Sequence, residues 1–365
     1  MSSSKLVLSG AAGALGGAGL DVSEVFSTYL YTGNGTDDRA INNGIDLSGE
    51  GGMVWIKNRD FAFNHLIGDT ERGITKGIRP NNTVPENNFS DRIKTVTSTG
   101  FTIGTADEIN SSNTGYTGSL MEYCSWTFRK APKFFDVVTY TGTGANRTIS
   151  HDLGSTPGMI IVKRTDSTSD WACYHRGLNG GTSPATKFIR LNLSNAESGN
   201  SGYWNNTEPT DSVFSVGANA ATNANGGTYV AYLFAHNDGD GEFGPDGDAD
   251  IIKCGSYTGN GSSDGQFIDL GFEPQWLLVK KTSAADNWIL MDNMRGMVTS
   301  TTVYDNEDET LKANTSGAEV TSNDIASINP TGFTIREGGN SLNTNNADYI
   351  YIAIRRGPMA VPENA

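Results

Sequence analysis

The chain has 365 residues, 36% hydrophobic and 18% charged, with 45 glycines and a formal net charge of −15 at pH 7. That length accommodates two or three domains, and an abundance of Gly, Asn, Ser and Thr argues for short strands joined by turns rather than long helices. The acidic balance, with no Lys/Arg-rich stripe to reverse it, excludes nucleic acid as a partner class, and no run of 18 apolar residues predicts membrane insertion.

Residues 1–25 carry one Lys and an interrupted Ala/Gly stretch, not the solid apolar core of a signal peptide. They read as an N-terminal arm that docks on a partner. Its "GALGGAGL" follows no strand, so it is not a dinucleotide-binding loop.

At residues 31–35 stands "YTGNG", which returns as "YTGTG" at 140–144 and "YTGNG" at 257–261. Each copy is followed by an Ile-and-Leu segment and then a short apolar run ending in Lys: "MVWIK", "MIIVK" and "WLLVK". An Arg-Gly pair comes next (Arg72-Gly73, Arg176-Gly177, Arg295-Gly296), then a Phe strand ("GFTIG", "VFSVG", "GFTIR") and a closing strand led by Tyr123, Tyr229 or Tyr349. The first Tyr residues lie 109 and 117 residues apart, which is the size of a domain and too long for a solenoid coil or propeller blade.

The expected fold class is therefore all-β, with three tandem antiparallel β-sandwich domains of jelly-roll or lectin-like type behind the arm. The boundaries fall at 1–25, 26–132, 133–245 and 246–365, with "HNDGDGEFGPDGDAD" (236–250) read as an acidic linker. The closing run "YIYIAIRR" alternates poorly and predicts a central strand covered on both faces. The pentapeptide itself reads as a tight hairpin, since Gly and Asn tolerate positive φ.

The residues that could carry chemistry form no catalytic constellation. His65, His151, His175 and His236 stand in no HxxxH or HExxH pattern and are not shared between copies. "GNSG" at 199–202 has neither the Asp nor the companion His motif of a serine nucleophile, and no GxSxG elbow occurs. Asp46, Asp152 and Asp269 recur at matched positions, as a shared turn or cap would require, although a carboxylate pair across a cleft is what glycoside hydrolysis needs. Cys124, Cys173 and Cys254 lie in apolar runs and read as small buried hydrophobes. Asp238, Asp240, Asp246, Asp248 and Asp250 are the one Ca²⁺ candidate, but Ile251 stands where an EF-hand loop needs Gly, and a solvated linker is the simpler reading. Trp55 and Trp276 share one core slot. Tyr203 and Trp204, in an Asn-rich loop with no counterpart, are candidate glycan contacts. No catalytic residue, cofactor or firm metal site is expected.

Taken together, "YTGNG", the apolar run ending in Lys, "RG", "GFTI" and the Tyr-led closing strand resemble the repeated domain of uncharacterised function in virion proteins of marine tailed phages. The resemblance covers residues 26–358 and departs at "AHND" in the second copy, where the others have basic residues before Pro. It implies a non-enzymatic virion component: a tail fibre or peripheral tail appendage, assembled in the host cytoplasm. It also implies docking on other virion proteins through residues 1–25, a homo-oligomer with a trimer favoured, and contact with host surface polysaccharide. A capsid decoration protein or head fibre is the close variant, and a surface-polysaccharide-degrading appendage the alternative of another class.

Overall fold

A computed structural model describes residues 19–114, 118, 120–263, 265–299, 308–323, 325–336 and 341–357. It is all-β, built from several antiparallel sheets, with helices of no more than four residues at sheet margins.

One strand order recurs in the larger sheets. In the first, β1 (Phe26–Thr32), β2 (Gly52–Asn58), β3 (Leu66–Asp69) and β4 (Glu122–Arg129) are arranged β1-β4-β2-β3. Strands β5 (Phe135–Thr141), β6 (Met159–Arg164), β7 (Trp171–His175) and β8 (Thr228–Phe234) repeat this as β5-β8-β6-β7. So do β9 (Ile252–Thr258), β10 (Pro274–Lys281), β11 (Trp288–Asp292) and β12 (Asp348–Arg355), as β9-β12-β10-β11. The second and third sheets each continue past this core by two further strands. A smaller sheet containing the Phe strand accompanies each large one: Gly100–Ile103, Val213–Val216 and Gly332–Ile335 pair with Arg39–Asn42, Arg147–Ser150 and Phe267–Asp269.

Period-two alternation explains why the central strands are buried throughout. Along β2, Val54 and Ile56 enter one core with Ile41, Phe101 and Tyr123, while Met53 and Trp55 enter another. In β12, Tyr349, Tyr351 and Ala353 face the local core, and Ile350, Ile352 and Ile354 face the other side. That second core is common to all three large sheets, containing Trp55 and Trp126, Trp171 and Phe234, and Trp276 and Trp288 together.

The pentapeptide is not a hairpin. After β1 the chain leaves the large sheet, and its next strand, Arg39–Asn42, lies in the small one, so "YTGNG" is a crossover between sheets. Its Tyr stacks on the Tyr that leads the closing strand, with centroids 5.2 Å apart for Tyr31 and Tyr123, 5.0 Å for Tyr140 and Tyr229, and 4.8 Å for Tyr257 and Tyr349. The first Gly is required by close approach: a Cβ at Gly142 would lie 2.2 Å from the Ala224 carbonyl oxygen. Only the second Gly takes positive φ, +66° at Gly35, +72° at Gly144 and +70° at Gly261.

Described parts of two expected appendages pack on the body. Within residues 19–25, assigned by sequence to the arm, a capping box of Asp21 and Glu24 starts a helical turn whose Val22 and Val25 are fully buried. Residues 1–18 lie outside the described residues. The acidic stretch 236–250 also packs, with Asn237 and Phe243 buried and Gly244 exchanging backbone hydrogen bonds with Gly19 and Leu20.

Candidate functional site

Three polar junctions fasten the large sheets to one another. Asp69 at the end of β3 and Asp292 at the end of β11 each bind an Arg three residues on, Arg72 and Arg295, through Nε at 2.7 Å. Each carboxylate also takes a donor from another sheet: Tyr232 OH of β8 at 2.6 Å, and Trp126 Nε1 of β4 at 2.9 Å. The corresponding end of β7 carries His175, whose Nδ1 accepts from the Gly177 amide and whose Nε2 therefore donates to the Tyr351 carbonyl of β12. The first sheet's strand end thus meets the second sheet, the second meets the third, and the third meets the first.

A second layer follows the same cycle. The amide of Glu86 donates to Thr165, that of Glu197 to Thr282, and that of Glu319 to Arg59. Trp171 Nε1 donates to the Arg79 and Asn82 carbonyls, Trp288 Nε1 to the Arg190 carbonyl, and His65 Nε2 to the Lys312 carbonyl. The Lys that ends each apolar run, Lys57, Lys163 or Lys280, directs its ammonium at backbone carbonyls, including Thr83 and Ser194 of the preceding group for the latter two. Burial pushes all three down to about 8. For Arg72, burial opposes the charge, but Tyr232, Asp69 and Glu86 hold it above its ordinary value.

Three equivalent asparagines escaped the sequence reading. Asn110, Asn223 and Asn343 are fully buried, and each Oδ1 accepts a turn amide, from Asn34, Thr143 and Asn260 respectively. Asn223 and Asn343 both precede the leading Tyr by six residues, a spacing that could have disclosed them; in the first copy an insertion widens it.

Of the residues singled out from sequence, Tyr203 and Trp204 are 4% and 2% exposed. Tyr203 stacks on Phe188 at 3.7 Å and Trp204 packs edge-on against Tyr174, so both are packing residues, and their rings are not offered to a glycan. The acidic run is occupied by turn formation: Asp250 accepts the Gly239 and Gly241 amides, Asp240 accepts the Asp238 amide, and Asp238 faces Lys253. Asp246 and Asp248 stand exposed in the turn closed by the Phe243–Ala249 bridge. No three His, Cys, Asp or Glu side chains among the described residues are placed to share an ion. Asp46 accepts the Ser48 amide and Asp269 the Gly271 amide, as turn caps, whereas Asp152 donates its own amide to Asp136. The three cysteines are buried and free.

What the structure does bring together is a cavity of about 930 Å³ beside the second sheet. Its walls come from the turn 154–157, the loop 181–184, the loop 208–211 beyond Trp204, and the start of the acidic stretch at 236–240. Trp204 supports it from beneath through Tyr174, whose hydroxyl donates to Glu208 at 2.8 Å.

Residues 21–358 match a family model described as a domain of unknown function, DUF7483. No curated protein and no solved structure matches the chain.

Proposed function

The chain belongs to the DUF7483 family across nearly its whole length, and from the sequence resemblance we propose that it is a non-enzymatic structural protein of a tailed-phage virion. Its place is a tail fibre or other peripheral tail appendage, docked on other virion proteins through residues 1–25 and touching host surface glycan. The proposed units are three tandem β-sandwiches, each a large sheet over a small one.

The observation that supports this reading is the cycle of junctions. The recurring polar residues are committed to cohesion: Asp69 with Arg72 and Tyr232, Asp292 with Arg295 and Trp126, and the lysines with loop carbonyls. Groups so engaged hold a rigid block together, as a particle component requires. The sequence resemblance to virion proteins supplies the biological setting.

Immunogold labelling of purified particles with antibody to the chain tests the proposal. Label on the tail is the expected result. Label on the shell selects the decoration or head-fibre variant, and particles free of the chain by mass spectrometry overturn the reading. Release of reducing ends from host polysaccharide, lost on mutating one carboxylate, would establish the degrading alternative instead.

A further inference from the structure

We propose that the cavity beside the second sheet binds a neutral saccharide, with Arg176, His236 and Ser155 as hydroxyl donors. The inference rests on the adhesive reading above for the source of its ligand.

The first observation is a guanidinium without an occupation. Arg72 and Arg295, its counterparts in the Arg-Gly pairs, are buried in ion pairs. In the second copy His175 stands at the carboxylate's register position and pairs with the Tyr351 carbonyl, and the residue three further on is the buried Leu178, so Arg176 directly follows the strand end and does not take the buried position of Arg72 and Arg295. Arg176 is exposed at the cavity; its amide donates to the Gly158 carbonyl, and its guanidinium has no hydrogen-bond or ion-pair partner among the described residues.

The second is an unpartnered hydroxyl. Ser155 lines the cavity, is 9% exposed, and its buried Oγ has no hydrogen-bond partner among the described residues. A buried polar atom in that state costs stability unless something satisfies it. His236 adds a third donor: its Nδ1 accepts the Cys254 amide, so the proton resides on Nε2 at the cavity wall.

The third is the loop that forms one rim. Asn179, Gly180, Gly181 and Ser183 take φ of +55°, +64°, +76° and +49°. Left-handed Asn and Ser are costly conformations that concentrate at binding loops, and this rim is fixed by the Asn179 side chain on the Thr182 carbonyl.

The walls decide the ligand class. Four carboxylates (Glu208, Asp211, Asp238, Asp240) face two cations (Arg176, Lys133), and Lys133 is already engaged by Glu242 and the Asp240 carbonyl. A net acidic wall repels phosphates and uronates. Hydroxyls both donate and accept, so donors and carboxylates interleaved on one wall suit a polyol. The volume lies within the range of small-ligand pockets.

Saturation-transfer NMR on the full chain tests this, with glucose, galactose, mannose and N-acetylglucosamine as probes and glucuronate and inorganic phosphate as charged controls. Transfer to at least one neutral sugar is expected, with dissociation constants at least tenfold weaker in Arg176→Ala and Ser155→Ala. Since the Arg176 guanidinium is exposed and makes no hydrogen bond or ion pair, its variant should melt like the parent, so lost binding would not reflect unfolding. Equal binding by parent and R176A overturns this site while leaving the adhesive reading standing. Binding of the charged controls alone overturns the ligand class. No transfer to any probe overturns the site, whereas the virion reading is judged separately by particle labelling.

Discussion

The hydroxyl of Tyr232 donates to Asp69 Oδ2 at 2.6 Å, joining buried residues 163 positions apart, and the same oxygen holds Arg72. Removing the carboxylate by Asp69→Ala leaves a buried guanidinium with the part-exposed Glu86 as its remaining carboxylate, a loss of about 3–5 kcal/mol. Tyr232→Phe deletes the short bond to Asp69 and the longer one accepted from Arg72 Nη2 at 3.4 Å, a loss of at least about 1.5–3 kcal/mol. Urea denaturation of both single variants and the double variant should show a coupling energy; additive losses would mean that the contact does not fasten the sheets.

The two glycines of the pentapeptide should fail differently. A Cβ at Gly142 meets the Ala224 carbonyl oxygen at 2.2 Å, whereas one at Gly144 meets nothing closer than 3.3 Å and suffers only from φ of +72°. Gly144→Ala should cost about 1–2 kcal/mol, and Gly142→Ala more, because backbone must move. Asn223→Ala orphans the Thr143 amide and the Ala145 and Gly217 carbonyls, at about 1–3 kcal/mol for each that remains buried. Thermal midpoints rank the three, and a Gly144→Ala variant less stable than Gly142→Ala would contradict the close-approach argument.

The strands were legible because alternation and the recurring landmarks are local, and so was the double burial of "YIYIAIRR", which carries apolar residues at both parities. The common core was not. It depends on which face of each sheet meets another sheet, and its fastenings, such as Trp126 to Asp292, join residues 166 apart. "YTGNG" misled because Gly and Asn announce a turn without saying whether the next strand pairs with the last or crosses to another sheet. Tyr203 and Trp204 read as loop aromatics from their Asn-rich surroundings, whereas their rings are buried and the loop lines the cavity with Glu208, Pro209 and Asp211. Asp246 and Asp248 showed clustering in sequence only.

Acid should loosen the cycle of junctions. Burial pushes His175 down to about 4, with Arg176 acting in the same direction, and a proton on Nδ1 would confront the Gly177 amide that it now accepts. His65 is pushed well below its ordinary value by burial and by Lys57, and its Nδ1 accepts from Trp55 Nε1. An unfolded chain protonates both near pH 6.5, before the folded one does, so stability falls as pH drops from 6.5 towards 4. For His175 the loss amounts to about 3 kcal/mol. Thermal melts of the parent and of His175→Gln across that range should converge at low pH, and parallel curves would show that His175 is not the titrating group.

The lysines extend the same sign of slope to the alkaline side. Lys57, Lys163 and Lys280 are depressed to about 8 by burial, so between pH 8 and 10.5 the unfolded chain binds more protons and each contributes stability that grows with pH. Lys163→Met should therefore show a less positive slope than the parent there, measured as the difference between two urea series, and an unchanged slope would remove Lys163 from the account.

The cycle also bears on the expected homotrimer, because contacts of threefold type are already made within one chain. Glu86, Glu197 and Glu319 each donate a backbone amide to the next strand group in turn, and the third returns to the first. A chain that closes such a cycle has no need of two copies to bury the faces carrying Trp55, Trp171 and Trp288, all within its own core. Light scattering coupled to size exclusion should accordingly give the mass of one chain, 38.9 kDa, at micromolar concentration. Three chains per particle in solution would support the homotrimer and point to the sheet edges, where β1, β5 and β9 each have a single neighbour, as its interface.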